Sequence, residues 1–450
     1  MYRREFLKMC GLTGLATGIG THQLSFANAR TLAGKSGITP RGSAENLILV
    51  FLRGAPSHMD TFDLKLGSWT PDNFAPVTKG DLVLPSGIFP NLVQQTDKFS
   101  VLRAISGTEA VHQRASYIFE TAHTYNPVFA REQPHIGSLA AFELAATRKT
   151  EDIFPAFLAM NGSVQGPGML SSSHAAFSFS SADGIAGLTH ADGEEMFAKR
   201  YASLLKTDAD NRFKQSGQGA ILSDYHNFFE LAEKLMYESD TNEVFFPTEN
   251  DLARYGENET GAACATAVKA LAANRGTRIV QITQDGWDMH YDIYDEAVGG
   301  NIYQLATVLD QALATMLQDL ANQPGIRGGT LLDETMVVVT GEFGRTPGQL
   351  TGNLGRDHYP YAWSALVAGG GIIPGQAFGA TDDEGWTIID PFWGQPRYIS
   401  IQDLVATMYS SLGIDWTKEI QDTPSGRVYE YTPKVDGQQG FYTDIPEMFG

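Results

Sequence analysis

The chain has 450 residues, with 52 Asp and Glu against 32 Lys and Arg and a formal net charge of −20. That balance argues against nucleic acid as a partner, because phosphate binding needs clustered Lys and Arg. Of the two cysteines only Cys264 lies outside the N-terminal leader described next, so no internal disulfide is expected and the core must hold by burial, which 42% hydrophobic content makes feasible.

The N-terminus reads Tyr2-Arg3-Arg4-Glu5-Phe6-Leu7-Lys8, then a modestly apolar, Gly-rich stretch from Met9 to Phe26, then Ala27-Asn28-Ala29. This order fits a twin-arginine signal ending at a small-residue cleavage site. It predicts a folded passenger handed to the twin-arginine export machinery and released as a periplasmic or secreted protein. Gly11, Gly14, Gly18, Gly20, His22 and Gln23 break the stretch short of the roughly 20 apolar residues of a spanning helix, so no permanent membrane span is expected. Cys10 stands at the start of the apolar stretch rather than after it, and Lys8-Met9 makes a poor lipobox, which favours a soluble product over a lipoprotein. Removing residues 1–29 takes away Arg3, Arg4, Lys8 and Glu5, so the net charge of −20 becomes −22.

Residues 30–44 read as a polar tether, and 45–450 as a single domain. Asn46 to Leu52 is a continuous apolar run of strand length, the signature of a parallel strand covered on both faces. Similar runs recur at Ser100 to Ile105, Arg278 to Thr283, Thr335 to Thr340 and Ser364 to Ala368. Segment 161–187 is Gly- and Ser-rich and is expected to wrap the surface. Residues 190–275 read as a charged helical insertion, with Phe197, Tyr201, Leu222, Phe228, Phe229 and Leu235 among its apolar positions. Ile302 to Ala321 carries a helical stripe, and Ile401 to Leu412 reads as an amphipathic helix that closes the sheet. Strand and helix alternate, which predicts an α/β layered fold with a mostly parallel central sheet flanked by helices.

In such sheets binding groups collect where strands end. Five polar clusters stand at predicted strand ends: Ser57-His58-Met59-Asp60, Thr108 to Ser116, Asp285 to His290, Gly341 to Arg345, and Gly355 to Tyr359 just before a strand. Four of the ten histidines fall in them. Imidazole and carboxylate are the usual N and O ligands of zinc and its neighbours, so convergence of these ends would build a divalent metal site. Asp288 and His290, two apart in an extended segment, point to the same side, and His358 would join them from another loop. Arg345, beyond Glu342, has the forked donors that suit a phosphate or sulfate oxygen pair. His123, His135, His174, His190 and His226 lie outside the clusters and read as structural.

The segments GAPSHMDTFD (54–63), HQRASYIFETA (112–122), PHIGSLAAFEL (134–144), GWDMH (286–290), TGEFGRTP (340–347), GRDHYP (355–360) and GATDDEG (379–385) together resemble one exported bacterial family. It is catalogued as domain of unknown function 1501 and placed in the alkaline phosphatase-like superfamily with sulfatases and phosphodiesterases. The resemblance implies an alkaline phosphatase-like fold with metal at strand ends and a nucleophile opening a helix. It implies Asp288, His290 and His358 as ligands of one metal, Glu342 where an Asp-His ligand pair ends a strand, and His58 and Asp60 near an acidic ligand of the first strand. Thr108, four residues before His112, is similar in placement to the nucleophile. If Arg114 is the anchor instead, that position falls on Ala110. The chain departs from the pattern in having Arg53-Gly54 at the end of the first strand and Glu342-Phe343 for the ligand pair, and it lacks the Cys-x-Pro-x-Arg sequence of sulfatases.

The expectation that follows is an exported metal-dependent hydrolase of phosphate or sulfate esters acting on a small-molecule or glycan ester. The cation would be zinc, calcium, magnesium or manganese, the attacking group Thr108 or water, and the charge stabilisers Arg345 and Arg114, with Arg356 a further candidate. The alternative from another class is a non-catalytic envelope binding or assembly protein on a degenerate form of the same fold. A weaker third is glycan binding on the segment bearing Trp386, Phe392, Trp393 and Tyr398.

Overall fold

Apolar runs of alternating facing need cover on two sides, and the strands of this chain obtain it in a three-layer arrangement. A computed structural model describes residues 30–32, 37–182, 184, 193–209, 233–435, 440 and 442–450. The leader expected over residues 1–29, and Leu222, Phe228, Phe229 and His226 of the expected insertion, lie outside the described residues.

The central sheet has eight strands: β1 (Asn46–Leu52), β2 (Phe99–Ile105), β3 (Phe157–Met160), β4 (Phe177–Phe179), β5 (Ile279–Gln284), β6 (Thr335–Thr340), β7 (Trp363–Ala368) and β8 (Ala377–Phe378). Their order is β8-β2-β7-β6-β1-β5-β3-β4. β1 pairs in parallel with both β5 and β6, β3 pairs in parallel with β5 and β4, and β8 with β2. β7 alone runs against its neighbours β6 and β2. The C-terminal ends of β1, β2, β5 and β6 and the N-terminal end of β7 therefore share one edge.

Period-two alternation splits the strands between two cores. Ile48, Val50, Leu52, Val280, Ile282, Val337 and Val339 face α6 (Glu259–Ala272) and α7 (Ile302–Asn322). Leu47, Leu49, Phe51, Ile279, Met336 and Val338 face the other way, among residues of α2 (Ile136–Glu143) and α8 (Ile401–Ser411), with Phe119 of α1 (His112–Thr121). The remaining described helices are α3 (Gly193–Ala209), α4 (Ser239–Phe245) and α5 (Glu249–Tyr255). α6 packs on β5 and α7, so the C-terminal part of the expected insertion is a layer of the sandwich itself.

Two further expectations change. Segment 161–187 does not only wrap the surface, since Phe177–Phe179 adds the edge strand β4 with Phe177 and Phe179 buried. α8 is buried on nearly every side, including Asp403, Thr407, Ser410 and Ser411. In the sequence those polar side chains resemble a wet face. Three of them are instead tied internally: Asp403 pairs with Arg397, the Thr407 hydroxyl donates to the Asp403 carbonyl at 2.7 Å, and the Ser410 hydroxyl donates to Asp444 at 3.1 Å. The expected tether touches the fold, with Arg30–Leu32 pairing antiparallel to Glu419–Gln421. Among the described residues no helix is long and apolar enough to cross a membrane.

Candidate metal centre

The shared strand edge gathers side chains from three separate connections, those after β2, after β5 and between β6 and β7. After β5 the chain alternates: Trp287 and Met289 are buried in the core, while Asp288 and His290 face outward together. That loop sits directly over the end of β1. Gly54 has φ +104, and a Cβ there would lie 2.5 Å from the Asp288 backbone nitrogen, so only glycine permits the approach. Across the crevice Gly355 serves the same need, since a Cβ on it would stand 2.1 Å from the His290 carbonyl carbon. Beyond it, His358 and Tyr359 pair antiparallel with Gly344 and Arg345. His112 is the first residue of α1, reached from β2 by the loop 106–111.

Ligand atoms of His112, Asp288, His290 and His358 all lie within 4.8 Å of one another. Asp288 Oδ1 is 3.2 Å from His112 Nε2, 3.1 Å from His290 Nε2 and 3.6 Å from His358 Nε2, and the last two nitrogens are 3.0 Å apart. A tetrahedral cation with bonds of about 2.0–2.1 Å has ligand–ligand edges of about 3.3 Å, which these distances bracket.

The far nitrogens explain the direction of the near ones. His358 Nδ1 donates to the Ala110 carbonyl at 2.6 Å, His290 Nδ1 to Asp357 Oδ1 at 2.7 Å and His112 Nδ1 to Glu342 Oε1 at 2.6 Å. A carbonyl or carboxylate only accepts, so each Nδ1 carries the proton and each Nε2 presents a lone pair to the common point. Facing lone pairs 3.0 Å apart repel, and His112 Nε2 is buried without a hydrogen bond. A cation resolves both costs, and three imidazoles with one carboxylate form a donor set of the kind zinc takes. The four side chains keep between 22% and 48% exposure, so solvent and a small molecule reach the point.

At His358 and Asp288 the electrostatics agrees. Burial, and further off the charge of Arg345 and the two neighbouring histidines, pushes His358 below the ordinary imidazole range, against the pull of the Ala110 carbonyl, and so keeps it a neutral donor. Burial also works against a charged His112, but the bond and charge of Glu342, with Asp288 behind, hold its pKa up. Burial would raise Asp288, yet the hydrogen bond and charge of Arg345, then His112 and His290, keep it ionised below the usual carboxylate range.

The structure thus brings Asp288, His290 and His358 together and adds His112, whose ligand geometry strand-end position alone did not distinguish from that of Glu342. Glu342 stands one step back, its side chain fully buried, accepting from His112 and from the Gly54 N–H at 3.1 and 3.3 Å. His58 and Asp60 are not brought to the cluster. They lie in a buried turn, His58–Asp60, that begins six residues past the end of β1. His58 Nε2 donates to the Gly385 carbonyl at 3.0 Å, and Asp60 is the counter-ion of Arg356, 2.6 Å from its Nε. Arg345 is 1% exposed with four donors engaged, Nε on the Ala55 carbonyl, Nη1 on the Arg356 carbonyl and Nη2 on the Gly54 carbonyl and Asp288, while Nη1 also stands 3.3 Å from His290 Nε2, whose lone pair a cation would take. Thr108 is exposed in the loop before α1, and Arg114 is half-exposed and paired with Glu109 at 3.3 Å. Trp393 is buried, whereas Trp386 and Tyr398 are exposed.

The model of a protein family of unknown function, DUF1501, matches residues 44–438. The chain belongs to the DUF1501 family. No curated protein matches this DUF1501 chain. Among solved structures it is similar to the lipoteichoic acid synthase LtaP from Listeria monocytogenes, at 10% identity and TM-score 0.39 over 99% of this chain and 81% of that one. It is similar also to a protein in the alkaline phosphatase superfamily from Vibrio parahaemolyticus, at 11% identity and TM-score 0.33 over 99% and 92% of the two chains. The phosphonate monoester hydrolase SpPMH from Silicibacter pomeroyi gives 13% identity and TM-score 0.37 over 88% and 77%. Likeness at this level does not bear on the activity of the DUF1501 chain, which rests on its own site.

Proposed function

We propose that this DUF1501 protein is an exported, metal-dependent hydrolase of phosphate or sulfate esters. The observation that carries the reading is the convergence of three imidazole lone pairs and the Asp288 carboxylate on one solvent-reachable point, each imidazole oriented from behind by its own acceptor. His112, Asp288, His290 and His358 would hold the cation, and this nitrogen-rich set favours zinc or a neighbouring transition metal over calcium or magnesium, which prefer oxygen. A bound cation supplies Lewis-acid polarisation of an ester oxygen.

The rest belongs to the chain. Glu342, Asp357 and the Ala110 carbonyl keep the Nδ1 protons in place. Phe343 packs against the rings of His112 and His358, with centroids 4.9 and 4.8 Å away, and limits their rotation. Arg345 neutralises and aims Asp288. Buried, with four of its five donors on the Ala55, Arg356 and Gly54 carbonyls and Asp288, it acts as a positioning residue. The attacking group is water or the exposed Thr108 hydroxyl. The rival reading, a binding protein without turnover, draws on the exposed place of Thr108 outside α1.

The test is metal analysis of the purified exported protein and a panel of phosphate and sulfate esters, wild type against His358→Ala. One bound transition metal, and turnover lost with it in the variant, supports the proposal. No metal, or turnover that His358→Ala leaves intact, sinks it. Turnover absent from a metal-loaded wild type selects the binding protein. Export is tested by fractionating cells that carry Arg3→Lys with Arg4→Lys, expected to retain the protein inside.

A further inference from the structure

An ester carrying phosphate or sulfate brings negative charge to the crevice, and most arginines there are committed. Arg345 is buried with four of its five donors engaged as described. Arg356 is fully buried and equally spent: Nε and Nη2 on Asp60, Nη2 also on the Tyr294 hydroxyl at 3.1 Å, and Nη1 on the carbonyls of Thr346 and Gly348, both at 2.8 Å. Arg114 turns to Glu109 on the outer surface of α1. Arg53, the residue that follows β1, is different.

Its backbone is part of the site. The Arg53 carbonyl accepts from the Trp287 N–H at 3.2 Å, and the next residue, Gly54, packs on the backbone nitrogen of Asp288. Its guanidinium grips Asp285 through Nε and Nη2, on the loop that carries Asp288 and His290. Both partners face solvent, Arg53 at 38% and Asp285 at 55% exposure. An exposed pair of this kind contributes little to stability, so exchanging the carboxylate for another doubly accepting oxyanion costs little. The same fork that fits two carboxylate oxygens fits two oxygens of a tetrahedral phosphate or sulfate.

We propose that Arg53 is the oxyanion-recognising residue of this site, leaving its resting partner Asp285 to take two non-bridging oxygens of the phosphate or sulfate group. The charges of Glu120 and Glu342 also reach Arg53. Glu120, whose carboxyl burial lifts to about 7, is partly neutral near that pH and leaves Asp285 as the close counter-charge. The inference rests on the hydrolase reading for the ester, but anion binding can be read without turnover.

The experiment is calorimetric titration of the zinc-loaded protein with inorganic phosphate and with inorganic sulfate. Wild type, Arg53→Ala, Arg53→Lys and Asp285→Asn are compared, with zinc content and thermal melting measured on each. Arg53→Ala is expected to weaken binding of the preferred anion at least tenfold with zinc retained, Arg53→Lys to recover part of it, and Asp285→Asn to match or exceed wild type. Three results overturn the proposal: Arg53→Ala binding within twofold of wild type, Asp285→Asn losing as much as Arg53→Ala, or a zinc-loaded wild type that binds neither anion. Phosphate bound through Arg53 without turnover of any ester would leave this anion site standing and remove the hydrolase. Turnover unchanged in Arg53→Ala would do the reverse.

Discussion

Glu342 touches no solvent, yet it holds two parts of the centre at once. One oxygen takes the Nδ1 proton of His112, and both take the N–H of Gly54, which ties the end of β1 to the start of α1. Removing its charge should loosen the His112 ring and lower its basicity. Partners of this kind, placed behind a ligand, typically contribute about 10–100-fold to metal affinity. Glu342→Gln is therefore expected to weaken zinc by about that factor in competition with a chelator, while Glu109→Gln, in the loop before α1, should not. Equal affinity in both variants would remove Glu342 from the support of the centre.

At the scale of elements, the hairpin that presents His358 is anchored by a buried ion pair. Arg356 and Asp60, both at 2% exposure or less, bind in a forked geometry that Tyr294 completes by donating to Asp60 at 2.7 Å. This clamps the segment before β7 onto the turn after β1. A buried pair adds little over well-packed apolar groups, but removing one partner strands the other and costs about 3–5 kcal/mol. Asp60→Ala should lower stability by about that amount in urea unfolding and release the metal, whereas Asp60→Leu with Arg356→Met should recover much of the stability. A double variant no better than the single one would show that the clamp acts through its charges.

For the molecule as a whole, acid stability is expected to depend on a histidine outside the candidate centre. His135 is completely buried and caps α2, accepting from the Gly137 N–H at 2.8 Å. Burial depresses its pKa to about 3, against the help of Gln281. The folded state thus resists a proton that the unfolded chain accepts. The resulting stability is full above the ordinary imidazole pKa and is lost as pH falls from about 6.5 toward 3. His135→Asn keeps the cap and removes the titration. The difference in unfolding free energy between wild type and variant should therefore shift by roughly 3–5 kcal/mol across that window, against the wild type on the acid side. Glu120→Gln tests the opposite sign, because a raised carboxyl pKa of about 7 costs stability as pH rises through it. Parallel curves for either variant and the wild type would refute the assignment.

Much of this was legible along the chain. β1 and β6 have the limits their apolar runs predict, because a strand buried on both faces must be apolar throughout. The spacing of Asp288 and His290 set both on one side because backbone geometry alone dictates it. β3 and β4 were not legible: four- and three-residue strands are defined by what they pair with, and their partners β5 and β3 are known only in the fold. The sequence by itself determined the layered α/β class, the strand ends as the place for polar chemistry and the family. Which of those polar residues meet was decided only by tertiary structure. His112 and Glu342 are both strand-end residues, and a 2.6 Å hydrogen bond between them makes one a ligand and the other its support. Arg345 and Arg53 are both forked cations, and burial spends the first while exposure leaves the second open. The physical reason is common to both pairs. A side chain's type fixes what it can donate or accept, but its neighbours across the sheet determine which of those capacities remain.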